Sequence, residues 1–387
     1  MRFISATHIF DGNRFLSDNP VLVLDDKDCF VEYLDRKIID KSKLEHYDGI
    51  ICPGFVNAHC HLELSHMKGA FEEKAGMLNF AKNIITKRMT FAKEQIQEGI
   101  IEADKMMLEN GIVAVGDISN TADTFETKQK SKIFYHTFIE LIGFNPERAE
   151  TVFTLGKTLQ GMANASGLKN SLVPHAPYSV SDSLIKKIST DVLGTKSPVT
   201  IHNQECADEN LFFRKREGAF NELYSFLQMP IDFFQPSGKS SLQTYLPNLV
   251  SGGNLILVHN TFTTEEDISF ANKLNKKLYW CVCPNANLYI ENTLPDIHRF
   301  IKNNCAMVIG TDSLASNHSL SVVDEINVLL KNFNWLKIAD VLKWATFNGA
   351  EALNLNTSFG GFIKGRNAGL NLLGYKKNEL VLEKKVA

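Results

Sequence analysis

Apolar runs of strand length alternate with stretches of helical periodicity through most of this chain, and that rhythm restricts the fold more than any other feature. After an opening run from Gly49 to Phe55, such runs recur at Ile112–Ile118, Lys132–Leu141, Ser171–Val173, Pro198–Ile201, Asn254–Val258, Lys277–Val282 and Cys305–Ile309. The segments between them, among them Met77–Met107 and Ser181–Ile188, carry the apolar spacing of amphipathic helices. Alternating units of this kind build a parallel sheet covered by helices, and eight of them predict an α/β fold, a (β/α)8 barrel of the TIM type. Chemistry on such a barrel sits at the C-terminal ends of the strands.

Residues 206–253 break the rhythm. This long insertion carries Leu211-Phe212-Phe213 and Phe233-Phe234-Gln235-Pro236. Most of these phenylalanines read as core, and an insertion directly after a strand of the barrel is also where a lid or substrate wall is placed. The two ends of the chain read differently. Val21–Leu24 and Cys29–Leu34 flank the turn-like Asp25-Asp26-Lys27-Asp28, which predicts a hairpin. Residues 360–373 and Leu380-Val381-Leu382 look like strand and turn. We therefore expect a small composite β domain from residues 1–52 and 356–387, and a barrel over residues 53–355.

Composition narrows the function classes. A net charge of −3 with no lysine or arginine cluster argues against nucleic acid as a partner. No apolar run is long enough to cross a bilayer, and the opening MRFISATHIFDG lacks the basic start and apolar core of a signal peptide. Seven cysteines without framework spacing read as free thiols in a reducing compartment, so a cytoplasmic location is expected.

Polar residues gather where the apolar runs stop. The first run leads into His59-Cys60-His61, and on a strand the two imidazoles share a face and can hold a divalent metal. The fifth ends in His202-Asn203-Gln204-Glu205, the sixth in His259-Asn260, and the eighth in Gly310-Thr311-Asp312. Any one of these has a plain structural reading, as a hydrogen-bonded histidine or a turn aspartate. Their joint occurrence at four strand ends points to one centre on the functional rim.

The ordered set PGFVNAHCHLE, IHNQE, LVHN, CPNANL and GTDSLASN resembles the amidohydrolase superfamily over essentially the whole chain. The likeness is greatest to the branch of guanine deaminase, the adenosylhomocysteine and methylthioadenosine deaminases, and the triazine hydrolases. Trp344–Ala350 is similar to that branch's late-helix signature, and GGFIKGRNAGLNLL to its closing strand, with Gly369 where an acidic residue is usual. The resemblance implies a (β/α)8 barrel with a composite β-sandwich from both termini, and a metal held by His59, His61, His202 and Asp312. The two-metal members carry a lysine on the fourth strand. Here that strand runs into His175 with no lysine, so one divalent ion is expected, zinc by the donor set, with iron(II) the alternative.

The same resemblance implies a mechanism. Metal lowers the pKa of bound water from 15.7 toward about 7, and the hydroxide attacks the substrate. Asp312 ligates and accepts the water's proton, His259 orients the hydroxide and steadies the tetrahedral intermediate, and Glu205 protonates a ring nitrogen and then helps ammonia leave. Glu63, which keeps the parity of His59 and His61, and His175 are expected to face the substrate. His66 is expected in the following loop and His318 in packing or support of the site. Cys281 and Cys283 read as a buried strand, since two thiols alone make a poor zinc motif. The expected activity is deamination of an amino-substituted nitrogen heterocycle, a purine or purine nucleoside derivative. Aminodeoxyfutalosine joins the candidates because its deaminases have similar His-x-His-Leu-Glu-Leu-Ser openings. The alternatives are hydrolysis of a cyclic amide, formimino or carbon–chlorine bond in the same site, and a non-catalytic binding barrel. The partners expected are a small heterocyclic substrate and a second copy of the chain in a homodimer.

Overall fold

Strand β1 (Arg2–Ile9), β2 (Val21–Leu24), β3 (Phe30–Leu34) and β4 (Leu44–Pro53) open the chain in this computed structural model. It describes residues 1–18, 20–274, 276–377 and 379–387, the side chain of Met89 left aside. Eight parallel strands follow: β5 (Phe55–Cys60), β6 (Ile112–Ser119), β7 (Phe134–Leu141), β8 (Lys169–Pro174), β9 (Val199–Asn203), β10 (Leu255–His259), β11 (Leu278–Val282) and β12 (Ala306–Ile309). β13 (Leu370–Lys376) and β14 (Glu379–Lys385) close it.

The eight strands form two four-stranded sheets, β5-β6-β7-β8 and β9-β10-β11-β12. Every residue of β5, β9 and β10 is buried, as expected of strands covered on one face by helices and on the other by the barrel interior. The sheets meet at two seams. At one, the amides of Thr311 and Asp312 both donate to the His59 carbonyl, at 3.0 and 3.1 Å. At the other, the His202 amide donates to the His175 carbonyl at 2.9 Å. A Cβ on Gly310 would lie 2.8 Å from the His59 Cβ and 2.9 Å from its carbonyl, so only glycine lets the first seam close. Both seams coincide with histidines expected in the site.

The terminal strands form one six-stranded mixed sheet, ordered β14-β13-β4-β1-β2-β3, where a sandwich was expected. The predicted hairpin is present as β2 and β3, with Val21 opposite Leu34. Ile4, Ile9, Leu22, Ile51 and Leu370 give this sheet its own small core. Only Gly54 separates β4 from β5, so the sheet runs directly into the barrel.

The helices near the site are α1 (Met77–Lys87), α2 (Lys93–Glu109), α3 (Phe125–Lys130), α4 (Ala149–Ala165), α5 (Asp182–Leu193), α6 (Ala207–Lys215), α7 (Ala219–Phe226) and α8 (Ser241–Tyr245). The helical spacing expected over Met77–Met107 is carried by two helices with a 3-10 turn at Arg88–Thr90 between them. From that turn Arg88 reaches the Glu63 carboxylate at 2.7 Å, a tertiary contact that helical periodicity does not report. The 206–253 insertion also divides. Leu242, Tyr245, Leu246 and Leu249 pack into the barrel core, so α8 is an ordinary barrel helix. The part before it, with α6 and α7, builds a separate apolar cluster with α1 above the barrel mouth. Its rings stack: Phe212 on Phe234 at 4.4 Å between centroids, Tyr178 on Phe220 at 4.1 Å. Phe212, Phe213 and Phe220 are core as expected, while Phe233 is 40% exposed. No helix among the described residues is long and apolar enough to cross a membrane.

Candidate active site and metal centre

Alternation along β5 brings the Nε2 atoms of His59 and His61 to 3.2 Å from each other. From β9, His202 places its Nε2 at 3.1 Å from that of His61. From the end of β12, Asp312 places Oδ1 at 3.6 Å from His59 Nε2 and 3.5 Å from His61 Nε2. Donors bonded at about 2.0–2.1 Å to one ion lie roughly 3–4 Å from their neighbours, and the His59, His61 and His202 set, with Asp312 against His59 and His61, has that spacing. All four side chains are buried. Burial lowers the pKa of His59 to about 3 and of His202 to about 3, and it drives His61 well below the ordinary range. The rings are therefore neutral and offer lone pairs. His202 shows which nitrogen does so: its Nδ1 lies 2.7 Å from the His175 carbonyl and must carry the hydrogen, leaving Nε2 free to coordinate. Three lone pairs and a carboxylate converging on one buried point fit a divalent cation.

The backbone around the centre is strained. Gln204, His259, Asn260 and Asp312 have φ of 47°, 72°, 59° and 57°, in the left-handed region that non-glycine residues seldom enter. Side-chain hydrogen bonds hold these turns. Asn260 Nδ2 donates to the carbonyls of Leu257 and Cys281, each at 2.8 Å, and Ser316 Oγ donates to Asp312 Oδ2 at 2.5 Å.

His259 and Glu205 stand beside the four donors. The Asn287 amide nitrogen donates to His259 Nδ1 at 3.2 Å, which puts the ring hydrogen on Nε2. That Nε2 faces Glu205 Oε1 at 3.5 Å. Burial, then the nearby Asp312, Glu209 and Glu291 carboxylates, raise the Glu205 carboxyl well above its usual range. His175 shares the floor of the site, its ring 4.7 Å from that of His202 and its Nδ1 2.6 Å from Ser179 Oγ. Burial lowers its pKa to about 4. Above them opens a cavity of about 380 Å³ with mostly apolar walls, to which the insertion contributes Leu223, Tyr224, Leu227 and Met229.

Two expectations from the sequence need correction. Glu63 does not line the cavity. The chain leaves extended geometry after His61 and enters a 3-10 helix at Leu62–Met67, so the parity of His59 and His61 does not carry to residue 63. Its carboxylate instead accepts from Arg88 Nη2 at 2.7 Å and from the amides of Asn120 and Thr121 at 3.0 and 3.2 Å. His318 neither packs in the core nor supports the site: its side chain is 73% exposed, 3.4 Å from Glu73. His66 lies outside the cavity as expected, against Phe91 at 4.8 Å between rings. Cys281 and Cys283 are buried and free.

Sequence reasoning passed over Arg88, Asn120 and Glu140, which do line the cavity. It also passed over a fully buried ion pair, Asp117 with Lys128 at 2.6 Å, whose aspartate accepts the Leu62 amide at 2.7 Å. The signal available was a lone charged residue inside an apolar run, Glu140 in Phe-Ile-Glu-Leu and Asp117 in Val-Gly-Asp-Ile.

Comparison with known proteins agrees with this geometry. The chain is 26% identical to an adenosine deaminase of Helicobacter pylori over 335 residues, 85% of this chain and 80% of that one. It is 25% identical to a 5'-deoxyadenosine deaminase of Methanococcus maripaludis, covering 88% and 78% of the two chains. Its fold superposes on the crystal structure of Helicobacter pylori aminofutalosine deaminase in complex with methylthio-coformycin over 100% of both chains, with a TM-score of 0.79 and 24% identity. Guanine deaminase of E. coli shares the fold at a TM-score of 0.70 and 17% identity, over 96% and 89% of the chains. Buried donors gather on the barrel rim in two groups that share His59, one with His61 and His202 and one with His259 and Asp312. The amidohydrolase family model matches residues 50–385, and this chain belongs to that family.

Proposed function

We propose that this chain is a metal-dependent deaminase of a purine nucleoside derivative carrying a large substituent on the sugar, with aminofutalosine the foremost candidate. One observation carries the reading: the Glu205 carboxyl, which burial raises well above its usual range, lies 3.5 Å from His259 Nε2, beside the converging histidine and aspartate donors on a cavity floor. The substrate class is supported by relatives named as deaminases of adenosine and 5'-deoxyadenosine. Full-length superposition on the aminofutalosine deaminase supports the finer choice, as does a cavity well beyond the size of a bare purine. The chain spans four-fifths of the Helicobacter relative's length.

His59, His61, His202 and Asp312 would hold the metal, and zinc suits this donor set. When bound, such an ion makes water acidic enough to serve as a nucleophile near neutral pH. Glu205 gives its proton to a ring nitrogen beside the amino-bearing carbon, drawing electrons from that carbon and exposing it to attack. Asp312 accepts a proton from the water, and the Nε2–H of His259 donates to the oxygen as negative charge develops on it. The proton held by Asp312 then goes to the departing amine, while Glu205, now a carboxylate, takes the remaining hydroxyl proton as the carbonyl forms and helps ammonia leave, so both groups return to their starting state. Water and the aminopurine become the oxopurine and ammonia, with no other reactant consumed. His175 lines the floor and would position the purine ring.

Ammonia release from metal-loaded protein tests this, with guanine, adenosine, 5'-deoxyadenosine, methylthioadenosine, adenosylhomocysteine and aminofutalosine as substrates. We expect kcat/KM to rise with an apolar group on the sugar and to be lowest for guanine. Ammonia from guanine alone, or from none of the six, would reject the reading.

A further inference from the structure

The wall of the cavity built by β6 and β7 holds a carboxylate that the reaction does not use. Glu140 is 5% exposed, lines the cavity, and has one oxygen fully occupied. Its Oε2 accepts from Asn120 Nδ2 at 2.9 Å, and the same amide nitrogen donates to the Glu140 carbonyl at 3.1 Å. Asn120 is fixed in turn: Arg88 Nη1 donates to its Oδ1 at 3.3 Å, while the Arg88 Nη2 and the Asn120 amide both bind Glu63. The buried Glu63 thus anchors a rigid polar wall of Arg88, Asn120 and Glu140. At its end, Glu140 Oε1 is buried without any hydrogen-bond partner.

His202 is the nearest candidate partner, but it does not fill that role. Its Nδ1–H already donates to the His175 carbonyl at 2.7 Å, and Glu140 Oε1 stands off at 3.5 Å. A buried carboxylate oxygen left unpaired is unfavourable, so its presence beside a cavity calls for a donor brought by the ligand. Glu140 lies across the His202 ring from the coordinating nitrogen. A donor reaching it belongs to a substituent of the substrate ring rather than to the carbon under attack.

Building on the nucleoside-deaminase reading, we infer that Glu140 is the sugar anchor: its free Oε1 accepts a hydrogen bond from a ribose hydroxyl. The polar wall orients the sugar, while the sugar's substituent lies along the apolar wall of α1 and the insertion. Glu140 is then a binding residue that selects nucleosides over free bases.

The test is a cycle of four rates for each hydroxyl: the wild type and Glu140→Met, each on the best ribonucleoside and on its 2'-deoxy or 3'-deoxy counterpart. Methionine keeps the length of the side chain and removes the acceptor. The rates are taken at pH 8, because burial raises the Glu140 carboxyl to about 7, and above that value a hydrogen bond to the charged acceptor is worth about 10- to 100-fold. We expect the wild type to lose about that factor in kcat/KM on one of the deoxy substrates, chiefly through KM. Glu140→Met should lose a similar factor on the ribonucleoside, discriminate less than about threefold, and keep its metal by elemental analysis. Where methionine disturbs folding, Glu140→Gln repeats the cycle. Equal wild-type rates on the ribo- and both deoxynucleosides would overturn the inference while leaving the deaminase reading intact. So would a variant that discriminates as the wild type does, or one whose loss tracks loss of metal. Absence of ammonia from every nucleoside would sink the functional reading itself.

Discussion

Replacing Lys128 with methionine isolates how the outer layer of the barrel holds the turn that follows His61. Lys128 Nζ, on α3, lies 2.6 Å from Asp117 Oδ2 on β6, with both side chains fully buried, and also donates to Ser119 Oγ at 2.9 Å. Asp117 Oδ1 accepts the Leu62 amide at 2.7 Å, one residue past His61. Methionine preserves most of the side-chain volume but leaves the aspartate without its cation. Removing one member of a buried pair costs about 3–5 kcal/mol. The Asp117 carboxyl is already pushed up to about 6, chiefly by burial and against the pull of Lys128. Without the lysine it moves higher still and takes up a proton near neutral pH, which holds the loss to about 3 kcal/mol. With an unfolding entropy of roughly 2.1 cal/mol/K per residue, that corresponds to about 4 °C in Tm. The sign with pH follows from proton uptake. Between the unfolded value of about 3.9 and the folded one, the native state holds the extra proton, so stability falls as pH rises through that window. The window closes at about 6 in the wild type and extends further in the variant, so the gap between them should widen from pH 6 to pH 8. Urea unfolding at both pH values measures it. The double variant Lys128→Met, Asp117→Asn keeps an acceptor for the Leu62 amide and should recover most of the loss. A gap below about 1 kcal/mol, or one constant with pH, would refute the reasoning.

Three further outcomes are expected. Glu205→Gln should keep its metal and lose about 10²–10⁴-fold in kcat, and a near-native kcat would remove Glu205 from proton transfer. His61→Ala should lose the metal by elemental analysis, since His61 Nε2 touches the donors of His59, His202 and Asp312, and full retention would reject the ligand assignment. Metal-free protein should weaken as pH falls from 7 to 5. Burial holds His59 and His202 at about 3 and His175 at about 4, so the unfolded chain takes up protons first, below about 6.5, at up to about 1.4 kcal/mol per pH unit for each ring. Urea midpoints that stay flat over that range would show that these rings are not held neutral.

The motifs that could be read from the sequence share a physical property: their signal is local. His59 and His61 follow from alternation on one strand, and His202, His259 and Asp312 each sit where an apolar run stops, so the barrel and its rim emerge together. Glu63 escaped because the strand ends at Cys60, and parity has no meaning once the chain turns into a 3-10 helix. Arg88 escaped because its partner, Glu63, lies 25 residues away in sequence, beyond the reach of any local pattern. The insertion was legible both as aromatic core and as a place for a substrate wall, but not which of its residues would do which, since stacking partners such as Phe212 and Phe234 belong to different turns of the chain while Leu223, Tyr224, Leu227 and Met229 line the cavity.

The residues that escaped are not scattered at random around the ring. On the proposed reading, the metal donors and the histidine and glutamate that move protons come from β5, β9, β10 and β12, strands whose ends carry recognisable motifs. Asn120 and Glu140 come from the ends of β6 and β7, whose apolar runs carry no such motif. A half-barrel that does no chemistry still faces the substrate, and its polar groups must answer to whatever part of the substrate is not reacting. That part differs between the guanine and nucleoside deaminases that share this fold. On that reading the ring of donors defines the reaction, and the wall from β6 and β7 is where the choice among aminopurines is made.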